Sequence, residues 1–152
     1  MGRTSVINGC MKVEKSAASI YKNLMQRFPK HEDFWKMLFD DEIKHLSFFK
    51  DVKSIGLINE MEKIDLLPSM PVINKTLKLA GSITKKIKGG SLSFVDALKI
   101  TLKLEESMAE TYTNKIIAHL MSCDSEPSYK NIIADERKHI NKIKNMMKLR
   151  MK

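Results

Sequence analysis

Asp41-Glu42-Ile43-Lys44-His45 and Asp135-Glu136-Arg137-Lys138-His139 are two copies of one pattern near opposite ends of the chain. Each sets a carboxylate and an imidazole three residues apart. On a helix that spacing stacks both side chains on one face, a turn apart, where they can hold the same metal ion. Two more glutamates extend the pattern. Glu14 has Tyr21 seven residues on, and Glu105 has Tyr112 at the same offset. The order along the chain is Glu, Glu-x-x-His, Glu, Glu-x-x-His. Few folds can bring six such groups together, and a bundle of four helices with an inward-facing ligand set is one of them.

Hydrophobic periodicity supports four long helices. The first spans about residues 4–28, with Ile7, Cys10 or Met11, Glu14, Ala18, Tyr21, Met25 and Phe28 on one stripe, and Pro29 ends it. The second spans about 33–55, with Asp33 as N-cap and Gly56 as stop. Its stripe of Phe34, Leu38, Glu42, His45, Phe49 and Val52 puts the charged pair in the middle of the apolar face, where a merely solvated pair has no place. The third spans about 93–121, capped by Ser93, with Leu98, Thr101, Glu105, Met108, Tyr112 and Ile116 inward. A turn from Cys123 to Pro127, with Ser125 as cap, leads into a fourth helix over about 126–149. This helix turns Ile132, Glu136, His139, Ile143 and Met146 inward and is expected to fray into a basic tail. Between the second and third helices lies a crossover, 57–90, holding Pro68, Pro71, Gly81, Gly89 and Gly90, in which Val72 to Ile87 has the periodicity of a short helix of its own. It is long enough to traverse a bundle.

The chemistry follows from charge. Two divalent cations a few ångströms apart repel unless anions lie between and around them. Glu42 and Glu136 are placed to bridge, Glu14 and Glu105 to cap one metal each, and His45 and His139 to give one ring nitrogen apiece. Oxygen and nitrogen donors without thiolate suit iron, manganese or zinc. Asp41 and Asp135 are placed to orient the histidines, and Tyr21 and Tyr112 to hydrogen-bond the capping carboxylates. Glu106 and Glu110 read as solvent-facing, with Glu106 the alternative to Glu105 if the helix register shifts by one, and His31 and His119 have no ligand-spaced partner. A lone Glu-x-x-His is common and weak. Four carboxylates and two histidines sharing an apolar core are costly without a cation to neutralise them.

Composition excludes several alternatives. The 152 residues suit one domain of residues 1–152 with a single core, and 43% hydrophobic against 30% charged residues is a globular balance. No apolar run is long enough for membrane insertion, and the cytoplasm is the expected location. Cys10 and Cys123 form no C-x-x-C pair, which rules out a four-cysteine iron or zinc site. The net charge of +9 is concentrated in Lys85-Lys86-Ile87-Lys88 and from Lys142 to Lys152. It reads chiefly as solvated helix faces, with nucleic acid or an anionic surface as the alternative. No aromatic residues alternate with these lysines to stack on bases.

From Glu14-x6-Tyr21 through Glu42-x-x-His45 and Glu105-x6-Tyr112 to Glu136-x-x-His139, nearly the whole chain resembles the ferritin-like superfamily, and within it the rubrerythrin-type di-iron domain. The resemblance implies an all-α, left-handed four-helix bundle with a long crossover between helices 2 and 3. It also implies two iron ions, with manganese or mixed metals as variants and no haem. Such centres react with O2 or hydrogen peroxide, commonly in a homodimer. Full rubrerythrins add a rubredoxin iron site, which this chain lacks. Its electrons are therefore expected from an external donor such as a rubredoxin or a reductase. They also carry an extra glutamate three residues after the third-helix ligand, where this chain has Met108. Three functions follow as expectations: a di-iron oxidoreductase reducing peroxide or O2, a ferroxidase or iron-storage protein, and a metal-dependent binding module with a basic surface.

Overall fold

The computed structural model describes residues 3–54, 69–113 and 127–150, with side chains described for 6–51, 69–108 and 137–150. Among the described residues the chain is all-α: five α-helices, one 3-10 turn and no strand. They are α1 (Arg3–Arg27), α2 (Glu32–Ser54), α3 (Met70–Lys88), α4 (Phe94–Thr113) and α5 (Pro127–Arg150). Gly56, the crossover through Pro68, and the turn with Cys123 and Ser125 lie outside the described residues, as do Ile116 and His119. No helix among the described residues is long and apolar enough to cross a membrane.

Pro29 breaks α1 as expected, but the chain does not pause before α2. The Phe28 N–H still reaches Leu24 O at 2.8 Å, and the His31 N–H reaches Phe28 O at 2.9 Å. The resulting 3-10 turn, Pro29–His31, delivers Glu32 already in helical geometry (φ −53°, ψ −45°). Asp33 is therefore not the N-cap. It lies in the first turn, where its charge complements the helix dipole instead. Ser93 does cap α4, accepting the Asp96 N–H at 3.0 Å.

The helix expected in the crossover, Val72 to Ile87, is present and slightly longer: α3 has 19 residues, with Ile73, Thr76, Ala80, Ile83 and Ile87 buried. These recur at three and four residues, one continuous stripe, and they pack against α1 and α4. The contact with α1 is close. An added Cβ at Gly9 would lie 2.9 Å from Ile73 Cγ2, so the Ile73 side chain packs onto α1 in the space that glycine leaves. Covered by α2 on one side and α3 on the other, α1 buries a second stripe beyond the expected one: Val13, Ala17, Ile20 and Leu24. The Arg27 guanidinium donates to the carbonyls of Ile87 (3.3 Å) and Gly90, placing a cation at the C-terminal end of α3. Gly90 has φ +95°, the left-handed geometry that closes the turn into α4.

Trp35, fully buried, is the aromatic keystone at one end. It lies 6.1 Å from Tyr21 on α1, 4.9 Å from Phe34 and 5.9 Å from Phe94 on α4, measured between ring centroids. The last helix, expected over about 126–149, is described from Pro127 to Arg150, whose guanidinium sits 5.5 Å above the Phe94 ring and 3.1 Å from His31 Nε2. His31 itself stacks on Phe94 at 3.9 Å.

Candidate metal centre

α1 packs along α2 and α4 along α5, with α2 meeting α5 and α1 meeting α4 across the middle. Each of these four helices turns one or more expected ligands into that space. Glu14 on α1, Glu42 and His45 on α2, Glu105 on α4 and His139 on α5 are all essentially inaccessible to solvent. The register is as read from the apolar stripe: Glu105 is buried while its neighbour Glu106 is exposed.

The five groups form two overlapping clusters. Glu14, Glu42 and His45 make one, Glu42, Glu105 and His139 the other, each with ligand atoms within 4.8 Å of one another. Glu42 is common to both, and its two oxygens divide between them. Oε2 lies 3.6 Å from His45 Nδ1, and Oε1 lies 3.5 Å from His139 Nδ1. Glu14 Oε2 faces His45 Nδ1 at 3.6 Å, and Glu105 Oε1 faces His139 Nδ1 at 3.3 Å. The imidazole centroids are 6.3 Å apart. Glu42 thus occupies a bridging position between two equivalent half-sites. The side chains of Glu136, Asp135 and Tyr112 lie outside those described.

Supporting contacts cross between the halves. Asp41 Oδ2 accepts a hydrogen bond from His139 Nε2 at 2.8 Å, leaving Nδ1 turned to the carboxylates. The Tyr21 hydroxyl donates to Glu105 Oε1, the capping carboxylate of the opposite half and not its own Glu14. Asp41 was expected to orient a histidine, but spacing alone could not say which one. Met108 is buried a turn beyond Glu105 and offers no carboxylate there.

The donor set fits bound cations. Both oxygens of Glu14, both of Glu42 and Nδ1 of His139 are buried without a hydrogen-bond partner. Buried carboxylates with no donor are strongly disfavoured unless a cation supplies the missing charge. Protonation states respond accordingly. Burial pushes the Glu42 carboxyl well above its ordinary value, reinforced by Glu14 and Glu105. Burial alone would lower His139, but the hydrogen bond to Asp41 and the Glu105 carboxylate facing Nδ1 overcome it and raise the imidazole to about 9. For Asp41, burial works upward, and the His139 contact outweighs it and lowers the carboxyl.

The fold and site therefore define an all-α protein with two buried carboxylate–histidine groups that could hold metal ions, joined through Glu42. No protein-family model matches the chain, and neither does any curated protein or solved structure.

Proposed function

We propose that the chain is a ferritin-like di-iron carboxylate protein of the rubrerythrin type. In this reading α1, α2, α4 and α5 form the four-helix bundle and α3 is its crossover helix. The function is reduction of hydrogen peroxide or O2 with electrons from an external donor. The observation that carries this reading is Glu42, a buried carboxylate whose two unpartnered oxygens face two separate histidine–glutamate pairs. A structural ion pair needs no such duplication; two cations sharing one bridge do.

When bound, paired iron ions would supply Lewis acidity and two electrons for cleaving an O–O bond. The residues of the chain supply everything around that chemistry. Glu14 and Glu105 would each hold one ion, Glu42 would be shared by both, and His45 and His139 would each contribute a neutral nitrogen donor. Glu136 is assigned the second bridge on its motif alone. Asp41 holds the proton on His139 Nε2, keeping Nδ1 directed inward. Tyr21 keeps a hydroxyl proton on Glu105 and orients that carboxylate. Leu38, Phe49, Leu98 and Ile143, all buried in the same core, exclude bulk water. With Met108 where rubrerythrins add a glutamate, the carboxylate shift of that family has no partner here.

Elemental analysis of chelator-free protein tests the reading. About two iron or manganese ions per chain are expected, lost in Glu42→Gln while the helical circular dichroism is unchanged. Glu14 belongs to one group only, so Glu14→Gln should retain about one. Peroxide turnover with an artificial electron donor then tests the reaction. Wild-type protein free of metal would overturn the proposal. A ferroxidase or storage role would instead appear as iron uptake far above two per chain in a large assembly.

A further inference from the structure

Trp35 carries one polar atom that the metal reading does not use. Its ring is fully buried, and its Nε1–H has no hydrogen-bond acceptor among the described residues. A buried indole N–H ordinarily finds an acceptor, and leaving that bond unmade costs stability. Phenylalanine fills an apolar core without that cost, so packing alone does not account for the one tryptophan of the chain. Tyr21 stacks beside it, with ring centroids 6.1 Å apart and planes 21° from parallel. The two rings differ in what receives their protons. The Tyr21 hydroxyl donates to Glu105 Oε1, the carboxylate oxygen that faces His139 Nδ1 in the candidate metal centre. On its other side Trp35 meets Phe94 at 5.9 Å, and Phe94 stacks on the partly exposed His31 at 3.9 Å. A continuous run of rings thus connects Glu105 with the Pro29–His31 turn.

We infer that Tyr21 and Trp35 form a one-electron relay between Glu105 and the Pro29–His31 end of the molecule. Its use rests on the peroxide-reducing function proposed above; the transfer between the two rings does not. Reduction of hydrogen peroxide to two waters takes two electrons and two protons. When the external donor has delivered only one electron, Tyr21 supplies the second from its ring. Its hydroxyl proton passes along the existing hydrogen bond to Glu105 and on to the product water, leaving a neutral phenoxyl radical. Trp35 then returns an electron to Tyr21, which regains a proton from solvent through Glu105. The indole radical cation so formed takes an electron in turn from a donor at the His31 end. The proton arrangement sets the order. With no acceptor at Nε1, the oxidised Trp35 keeps its proton and stays the stronger oxidant, so it is the brief stepping stone. Tyr21 hands its proton to a carboxylate and is the resting place of the oxidising equivalent.

The test begins with metal-free protein, in which azide radicals made by pulse radiolysis oxidise the single indole. The absorption of the indole radical should decay as that of a phenoxyl radical rises, at one rate independent of protein concentration. Tyr21→Phe should abolish this coupled rise, and Tyr129→Phe should leave it intact. Glu105→Gln still accepts the hydrogen bond but cannot take the proton, and should slow the conversion at least about tenfold. Unchanged circular dichroism will verify the fold of each variant. With Fe(II) bound, excess peroxide should produce a phenoxyl signal by electron paramagnetic resonance of frozen samples. That signal should be absent in Tyr21→Phe and outlast the wild-type signal in Trp35→Phe once ascorbate is added. The inference is overturned by no coupled conversion in the wild type, by conversion that survives Tyr21→Phe, or by a rate proportional to protein concentration. The metal-free arm separates the two readings. Conversion without metal uptake supports the transfer and sinks the peroxide function, and metal uptake without conversion does the reverse.

Discussion

Asp41 on α2 and His139 on α5, 98 residues apart in sequence, are joined by a 2.8 Å hydrogen bond from Nε2 to Oδ2. A carboxylate can only accept there, so the proton is held on Nε2 and Nδ1 is the atom presented to Glu42 and Glu105. The bond thus couples one Glu-x-x-His motif to the other. It also fixes the ring in the orientation a ligand needs.

Replacing Asp41 by Asn should therefore act on metal affinity without touching a ligand. Loss of the carboxylate weakens the donor strength of His139 and releases its orientation. Partners of this kind are worth about 10–100-fold in affinity. Titration of metal-free Asp41→Asn with Co(II), followed by its visible absorption, should show a loss in that range with helicity preserved. Unaltered affinity would mean the contact is packing only.

The all-α class and the inward register of the candidate ligands were legible because Glu42, His45 and Glu105 interrupt apolar stripes at helical spacing. Glu105 over Glu106 followed from the same stripe. The extent of α3 was legible to within two residues, since Pro71 sits in the first turn and Gly81 faces solvent. Two features were not legible. The second stripe of α1 is buried only because α3 covers it, a tertiary fact with no local signal beyond Gly9. The pairing of Tyr21 with Glu105, and of Asp41 with His139, depends on which helices are neighbours, and spacing within one helix cannot supply that.

The pH dependence of the metal-free protein follows from two groups whose folded-state values are raised. Glu42 is raised by burial and by Glu14 and Glu105, and His139 is raised from 6.5 to about 9. In both cases the folded state binds more protons than the unfolded chain, so stability falls as pH rises. The His139 contribution is fully present below 6.5 and lost as pH climbs through about 9. It is on the order of 3 kcal/mol. Asp41, lowered, acts oppositely and loses its contribution only in acid, below its ordinary 3.8. Thermal unfolding of chelated protein should give a Tm lower by roughly 5–10 °C at pH 9 than at pH 6. Metal binding displaces the same protons, so saturating metal should flatten the decline. A Tm that rises between pH 6 and 9 in the chelated protein would refute the assignment.

Two glycines on facing helices should respond oppositely to alanine. At Gly81 an added Cβ meets no atom within 4 Å, and the position is exposed within α3. Gly81→Ala should stabilise by about 0.5–1 kcal/mol through helix propensity. At Gly9 the Cβ would collide with Ile73 Cγ2, which is fixed at a β-branched carbon and cannot swing aside. Gly9→Ala should cost about 1–3 kcal/mol from overpacking, only partly offset by propensity. Urea midpoints of the two variants measure the contrast, and a stabilised Gly9→Ala would show that α3 packs less closely on α1.

Glu42→Gln separates what the bridging carboxylate does for metal from what it does to the empty fold. Its two oxygens are buried without a donor, among Glu14 and Glu105. In the absence of metal, ionising Glu42 at neutral pH sets a third negative charge in a dry core, a cost normally avoided by protonation. Glutamine keeps the volume, carries no charge and can donate its amide to Glu14 or Glu105. The variant should therefore be more stable than wild type when both are stripped of metal at pH 8, by about 1–3 kcal/mol. The order should reverse in excess metal, because a ligand that binds only the folded state raises wild-type stability by mass action and the variant has lost the shared bridge. Paired thermal melts, with chelator and with excess Fe(II) under anaerobic conditions, read both halves of the prediction. If wild type is the more stable in both, Glu42 serves the fold and not a cation.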